Sequence, residues 1–192
     1  MFPVILDLTR IPVLLAGTSE LLAKRLALLD EAKAAHVKVY CEQPSAELKQ
    51  LAGERLIARQ PTGQDIKDHA VILLAGYDRI TSEALTGWAH AQGKLVNAED
   101  ITDLCDFYFT STIRRGDLLV AVSTGGASPT LAKRVRDVIA GMFGAEWGER
   151  VRVVAELRNK LKAGGAGMKE VAEKTDDYLA EKGWFTHGDK AA

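Results

Sequence analysis

The sequence predicts an α/β fold built on a parallel sheet with helices on both faces. Three observations predict it. Short apolar runs alternate with helical patterns along the first half of the chain. The two central runs, Pro12–Ala16 and Ala70–Ala75, are continuously apolar, as strands covered on both faces must be. The first run passes through one glycine, Gly17, into a helical pattern with apolar residues at Leu21, Leu22, Leu26 and Leu29. A buried strand turning tightly into a helix is the opening unit of a dinucleotide-binding sheet, where the free N–H groups of the helix start suit a pyrophosphate.

Taken in order, Phe2–Leu6 reads as a short edge strand and Asp7–Arg10 as a turn. A helix is expected over about Glu20–Ala35, then a strand at Val37–Tyr40. Pro44 and Ser45 break the chain and cap a helix reaching Gln50 or Leu51. Leu56–Arg59 is a third strand, closed by Pro61-Thr-Gly63. After Ala70–Ala75, Gly76-Tyr-Asp78 turns into a helix through about Ala91, Gly93 ends it, and Lys94–Asn97 is a further strand. Ligands of such sheets bind beyond the carboxyl ends of the strands. Gly17, Cys41-Glu42-Gln43, Gly76-Tyr77-Asp78 and Asn97-Ala-Glu-Asp100 all fall there, so topology gathers them on one rim.

The pattern changes after Asp106. Phe107–Ile113 and Leu118–Ser123 read as a hairpin separate from the parallel sheet. Ser123–Pro129 is a loop of small residues, with Ser128 as cap and Pro129 as first residue of a helix to about Phe143. Glu149–Lys162 and Met168–Lys182 are two more amphipathic helices, and Thr186–Ala192 is a frayed tail. The apolar faces of the hairpin and of the Pro129–Phe143 helix need a partner, which predicts a homodimer.

The chain has 192 residues, 47% of them hydrophobic and 27% charged, with a net charge of −1. That balance is ordinary for a globular protein and recruits neither nucleic acid nor an acidic membrane. Cys41 and Cys105 form no short-spaced pair and read as free thiols. No apolar run is long enough to span a bilayer, and the cytoplasm is the expected compartment. His36, His69, His90 and His187 have no ligand spacing, so no metal site is expected.

Two stretches carry more than periodicity explains: Val96-Asn-Ala-Glu-Asp-Ile101 with Phe107-Tyr-Phe, and Leu118-Leu-Val-Ala-Val-Ser-Thr-Gly-Gly-Ala-Ser-Pro-Thr-Leu-Ala132. With the first strand–turn–helix, they resemble the precorrin-2 dehydrogenase / sirohydrochlorin ferrochelatase family, which forms the N-terminal part of siroheme synthases. The resemblance implies a Rossmann-like NAD-binding domain over 1–109, a small strand-and-helix dimerisation domain over 110–148 and a C-terminal helical region over 149–192. It implies oxidation of precorrin-2 to sirohydrochlorin with NAD, and in some members insertion of ferrous iron. Asp100 matches the family's essential aspartate. Gly17, Thr18, Ser19, Glu20 and Leu21 match its dinucleotide turn, Glu42 and Gln43 its adenosine side, with Gly76 on the same rim. Thr124 matches a residue lining the tetrapyrrole pocket, and Gly125 and Gly126 offer backbone N–H groups to substrate carboxylates. Arg114, Arg115, Lys133 and Arg134 are candidate partners for the polycarboxylate substrate.

Two departures shape the expectations. Thr18 and Ser19 replace glycines of the family turn, where a Cβ crowds the pyrophosphate or strains a positive φ. A tetrapyrrole-binding or chelatase-only paralogue is therefore the alternative to a dehydrogenase. Asp100 and the Gly17 corner are expected to enclose one shared cleft, with Asp100 as the base and the adjacent Glu99 pointing the other way.

Overall fold

Five parallel strands form the first sheet: β1 (Val13–Gly17), β2 (Val37–Tyr40), β3 (Leu56–Ile57), β4 (Val71–Ala75) and β5 (Leu95–Ala98), in the order β3-β2-β1-β4-β5. This computed structural model describes residues 1–185; the tail expected at Thr186–Ala192 lies outside the described residues. Four helices cross between the strands: α1 (Ser19–Glu31), α2 (Ala46–Ala52), α3 (Gly63–Lys67) and α4 (Arg79–His90). Winding runs outward one way from β1 and then the other way from β4. The point of reversal therefore lies between β1 and β4, where open α/β sheets leave a crevice.

The period of two along each strand divides the core. Val13 and Leu15 of β1, with Val37, Val39, Val71 and Leu73, pack with Leu22, Leu26 and Leu29 of α1 and Leu48 of α2. Leu14 and Ala16, with Ile72, Leu74 and Val96, pack with Ile66 of α3 and Leu85 and Ala89 of α4. All five residues of β1 and of β4 are buried. Side-chain burial on both faces holds these strands central, and the ladder Val13↔Val71 through Gly17↔Ala75 locks their register.

The structure corrects the expected elements in four places. Phe2–Leu6 forms no strand, and Phe2 is 86% exposed; Pro3 removes a ladder donor. The expected strand Leu56–Arg59 shortens to two residues. α1 stops at Glu31, because Lys33 turns left-handed at φ 57° and takes the part usually given to glycine. Pro61-Thr-Gly63, read as a plain turn, starts α3 through a capping box between Thr62 and Asp65.

The chain divides at Phe109/Thr110 into two compact units. The second holds a separate antiparallel hairpin outside the parallel sheet, as expected, β6 (Ser111–Arg115) with β7 (Leu118–Val122), but its first strand starts at Ser111 instead of Phe107 and runs on through Arg114 and Arg115. α5 (Pro129–Met142) follows, capped by Ser128, then α6 (Trp147–Ala163) and α7 (Met168–Lys182). Trp147 anchors this unit: it packs edge-on to Phe143 and Trp184, and the Arg150 guanidinium lies 4.9 Å from its ring centre.

Asp65 knots one end of the first sheet. Its carboxylate accepts from Tyr40 Oη (2.9 Å), from both Arg59 Nη atoms (2.7 and 3.0 Å), and from the Thr62 amide and hydroxyl (2.6 and 2.7 Å). The Arg59 guanidinium first, then Thr62 and Tyr40, hold this carboxyl well below the usual carboxylate range. Burial and the bond to Asp65 push the Tyr40 hydroxyl up to about 12. The depressed carboxyl lends full stability above its unfolded value of about 3.9 and loses it as pH falls through the folded value. Asp65→Ala is therefore expected to cost about 2–4 kcal/mol in urea unfolding at pH 7. The gap from the native chain should narrow steadily below about pH 4; a gap that is absent at pH 7 or flat with pH contradicts this role.

Candidate functional site

The site begins where β1 becomes α1. Gly17 sits at φ 153°, and a Cβ there would lie 1.7 Å from the Ala75 carbonyl oxygen, so no other residue fits. The next amide, of Thr18, donates to that same oxygen at 2.9 Å. Thr18 is ordinary extended backbone at φ −89°, and Ser19 is the first helical residue. The strain expected from losing glycines at these two positions does not arise, because the turn needs its unusual φ at Gly17 alone. Room for the Thr18 side chain comes from Gly76: a Cβ on Gly76 would fall 2.3 Å from the Thr18 hydroxyl. The Ser19 hydroxyl donates to Ser45 Oγ (2.8 Å) and accepts from the Ser45 amide (2.9 Å), which ties the start of α1 to the cap of α2.

Among the helices that begin at this end of the sheet, α2, α3 and α4 are capped by Ser45, Thr62 and Asp78. Thr18 gives α1 no side-chain cap. The amides of Ser19, Glu20 and Leu21 consequently have no hydrogen-bond partner among the described residues. Three orphan donors at the positive end of a helix suit an anion, above all a phosphate. They open beside a cleft of about 410 Å³.

Six of the expected residues line that cleft: Gly17, Thr18, Ser19, Glu42, Gln43 and Gly76. The side chains of Glu20 and Leu21 do not. Glu20 pairs with Lys24 at the surface (2.7 Å), and Leu21 packs against the core, so only their amides face an anion. Cys41, Gln60, Tyr77, Asp78 and Thr81 also line the cleft. Cys41, Tyr77 and Asp78 stand at strand ends, where topology places a ligand, whereas no pattern in the sequence marks Gln60 or Thr81. Gln60 donates to Glu42 at 3.1 Å and steadies it. The Tyr77 hydroxyl is buried without a partner among the described residues, and burial pushes it up to about 12.

Asp100 stands outside the lining of this cleft, which corrects the single shared enclosure expected from the sequence. It follows the end of β5, two strands across from β1, or about 10 Å at ordinary strand spacing. The Glu99 amide donates to the Leu74 carbonyl (2.8 Å), and the Ile101 amide to the Ala98 carbonyl (3.2 Å). These bonds close a turn whose third residue, Asp100, is exposed at φ 64°. The neighbouring Glu99 is committed: Arg25 grips its carboxylate at 2.7 and 3.2 Å. Of the two carboxylates, Asp100 is the one with no partner among the described residues. The rest of the motif is scaffold. Asn97 is buried and donates to the Phe107 carbonyl (2.8 Å), and Asp106 accepts from the Val96 amide (2.8 Å).

In the second unit, Thr124 Oγ1 donates to the Ser128 carbonyl and accepts from the Ser128 amide, both at 3.1 Å. Gly125 and Gly126 take φ of 65° and 88°, which closes a tight loop ahead of α5. The Thr124 hydroxyl is thus occupied within its own loop, and the Gly125 amide, expected to be open to substrate, donates to Ser123 Oγ at 3.2 Å, whereas the Gly126 amide has no partner among the described residues.

Residues 4–111 match the family described as "Putative NAD(P)-binding", and residues 115–142 match "Sirohaem biosynthesis protein central". The chain belongs to this NAD(P)-binding family of siroheme synthesis. The family's NAD(P)-binding unit therefore covers β1 to β5 and the Gly17 corner. A siroheme synthase of Methylococcus capsulatus is 36% identical over 163 residues, 83% of this chain and 34% of that protein. One of Neisseria meningitidis is 31% identical over 176 residues, 90% of this chain and 36% of that protein. The chain thus spans about a third of the length of these curated relatives. The solved structure of SirC, precorrin-2 dehydrogenase, shares the fold with a TM-score of 0.76 at 21% identity, covering 98% of this chain and 94% of that one. Among the described residues, no group of three or more His, Cys, Asp or Glu side chains could hold a metal, and no helix is long and apolar enough to cross a membrane.

Proposed function

We propose that this chain binds NAD+ and oxidises precorrin-2 to sirohydrochlorin in siroheme biosynthesis. The observation that carries this reading is the uncapped start of α1 at the sheet's point of reversal, in a chain of this family. The amides of Ser19, Glu20 and Leu21 hold the pyrophosphate. Glu42, at the end of β2, accepts from the adenosine ribose hydroxyls and repels a 2′-phosphate, which favours NAD+ over NADP+. Gly76, in the lining of the same cleft just past β4, stands on the nicotinamide side. NAD+, when bound, supplies the two-electron acceptor. Asp100 takes the proton that leaves the substrate along with the hydride.

The alternative was a protein that binds tetrapyrrole without oxidising it, its cofactor turn eroded. Unstrained Thr18 and three free amides support the dehydrogenase instead. Ferrous iron insertion would use Asp100 again, as acceptor of the pyrrole protons that the iron displaces; iron is then a substrate. Two unpaired cysteines go with the cytoplasm as compartment.

Residues 1–109 make the cofactor unit on this reading, 110–148 the dimerisation domain and 149–192 the C-terminal helical region, with Thr124, Gly125 and Gly126 toward the tetrapyrrole. α5 supports the dimer: Leu131, Val135, Val138 and Met142 are exposed at spacings that share one helix face.

Incubation with precorrin-2 and NAD+ is expected to yield NADH and sirohydrochlorin in equal amounts, and NADP+ to be at least about tenfold poorer in kcat/KM. Asp100→Asn should lower kcat by about a hundredfold or more and keep NAD+ affinity within about twofold. Tight sirohydrochlorin binding with no NADH at saturating cofactor would overturn the dehydrogenase reading. For the dimer, sedimentation at micromolar concentration should show a two-chain species that Val138→Glu splits; a monomeric native chain contradicts it.

A further inference from the structure

The pair Arg25–Glu99 joins the middle of α1 to the turn after β5. Arg25 Nη2 and Nε donate to the two oxygens of Glu99 at 2.7 and 3.2 Å, a fork-on-fork geometry. Both side chains are largely covered, at 22% and 17% exposure. The Arg25 guanidinium also lies 4.5 Å from the ring centre of Phe109, so its orientation is fixed from a second side. Such a pair calls for a reason, because taking two charges largely out of water carries a desolvation cost.

The reason lies one residue on. Ala98–Ile101 is a four-residue turn closed by the Ile101 amide on the Ala98 carbonyl. Positive φ occurs at its third residue, Asp100, and not at its second, Glu99, which makes it type II in form. That third position favours glycine or asparagine. Asp100 holds it at a cost that persists only where the surroundings over-determine the backbone. Two anchors do so on Glu99: its amide on the Leu74 carbonyl and its carboxylate in the Arg25 fork. Release of the carboxylate lets the Glu99–Asp100 peptide flip toward a type I turn, with Asp100 back at negative φ and its Cβ aimed elsewhere.

We infer that Arg25 and Glu99 form a positioning clamp that holds the Asp100 carboxylate in the orientation proton transfer requires. The inference rests on the reading of Asp100 as the proton acceptor. Arg25 is already neutralised by Glu99, so it acts through the backbone of the turn and not as a charge beside the reaction.

The test compares Arg25→Met, which keeps the stem and loses the fork, with Arg25→Lys, which keeps one donor. In NAD+-dependent oxidation of precorrin-2, Arg25→Met should lower kcat by about tenfold with the KM for NAD+ within about twofold, and Arg25→Lys should recover part of the loss. Added to Asp100→Asn, Arg25→Met should cost nothing further. A second readout needs no activity. Asp100→Gly relieves the strained φ and should raise the melting midpoint by about 3 °C, but by less than about 1 °C in the Arg25→Met background, where the turn has already relaxed. Additive thermal shifts overturn the clamp. So does unchanged kcat in Arg25→Met in an active enzyme. If the chain oxidises no precorrin-2 at all, the proposed reaction falls, and the thermal cycle alone still decides the clamp.

Discussion

The contact on which the rest of the structure depends is that of Gly17 with the Ala75 carbonyl. β1 and β4 approach so closely at their last ladder pair that the space for a Cβ is gone. The Ala75 oxygen is then satisfied by the Thr18 amide, which fixes where the strand must end and α1 must begin. The helix starts at the crevice between the two halves of the sheet, with no side chain to cap it. Its first amides are left to whatever anion the crevice receives.

The apparent damage to the glycine turn is a redistribution. In a turn of three glycines the backbone carries all the freedom. Here one glycine carries the φ, and a second, Gly76, sits across the crevice and gives up its own Cβ space to the Thr18 hydroxyl. Ser19 is likewise put to structural use, bridging to Ser45. The helix start stays open to a ligand because these hydroxyls are turned toward their neighbours.

Elements with strong apolar periodicity were legible in the sequence. β1, β2 and β4 declare themselves through apolar runs, and Ser45 and Ser128 through capping chemistry. The rim of strand ends followed from topology alone and reached seven residues of the cleft, Gly17, Cys41, Glu42, Gln43, Gly76, Tyr77 and Asp78. What escaped depends on partners distant in the chain. An isolated apolar run, Phe2–Leu6, looks like a strand whether or not a sheet edge waits for it. The capping box that starts α3 was hidden behind a proline and a glycine that read as a turn. Thr18 and Gly76 explain each other only when β1 lies beside β4. Arg25 and Glu99 stand 74 residues apart, and no local pattern links them. The placement of Asp100 outside the Gly17 cleft is also tertiary, set by the order in which the strands are laid down.

The central claim, that the open start of α1 is the anion-binding end of a dinucleotide site, is tested most directly by amide NMR. Titration of the 15N-labelled protein with NAD+ should move the Ser19, Glu20 and Leu21 amides together and saturably, with the largest downfield proton shifts in the chain, as expected of donors that gain a phosphate oxygen. Saturable NAD+ binding that leaves these three amides unmoved, and shifts resonances elsewhere, would contradict the account.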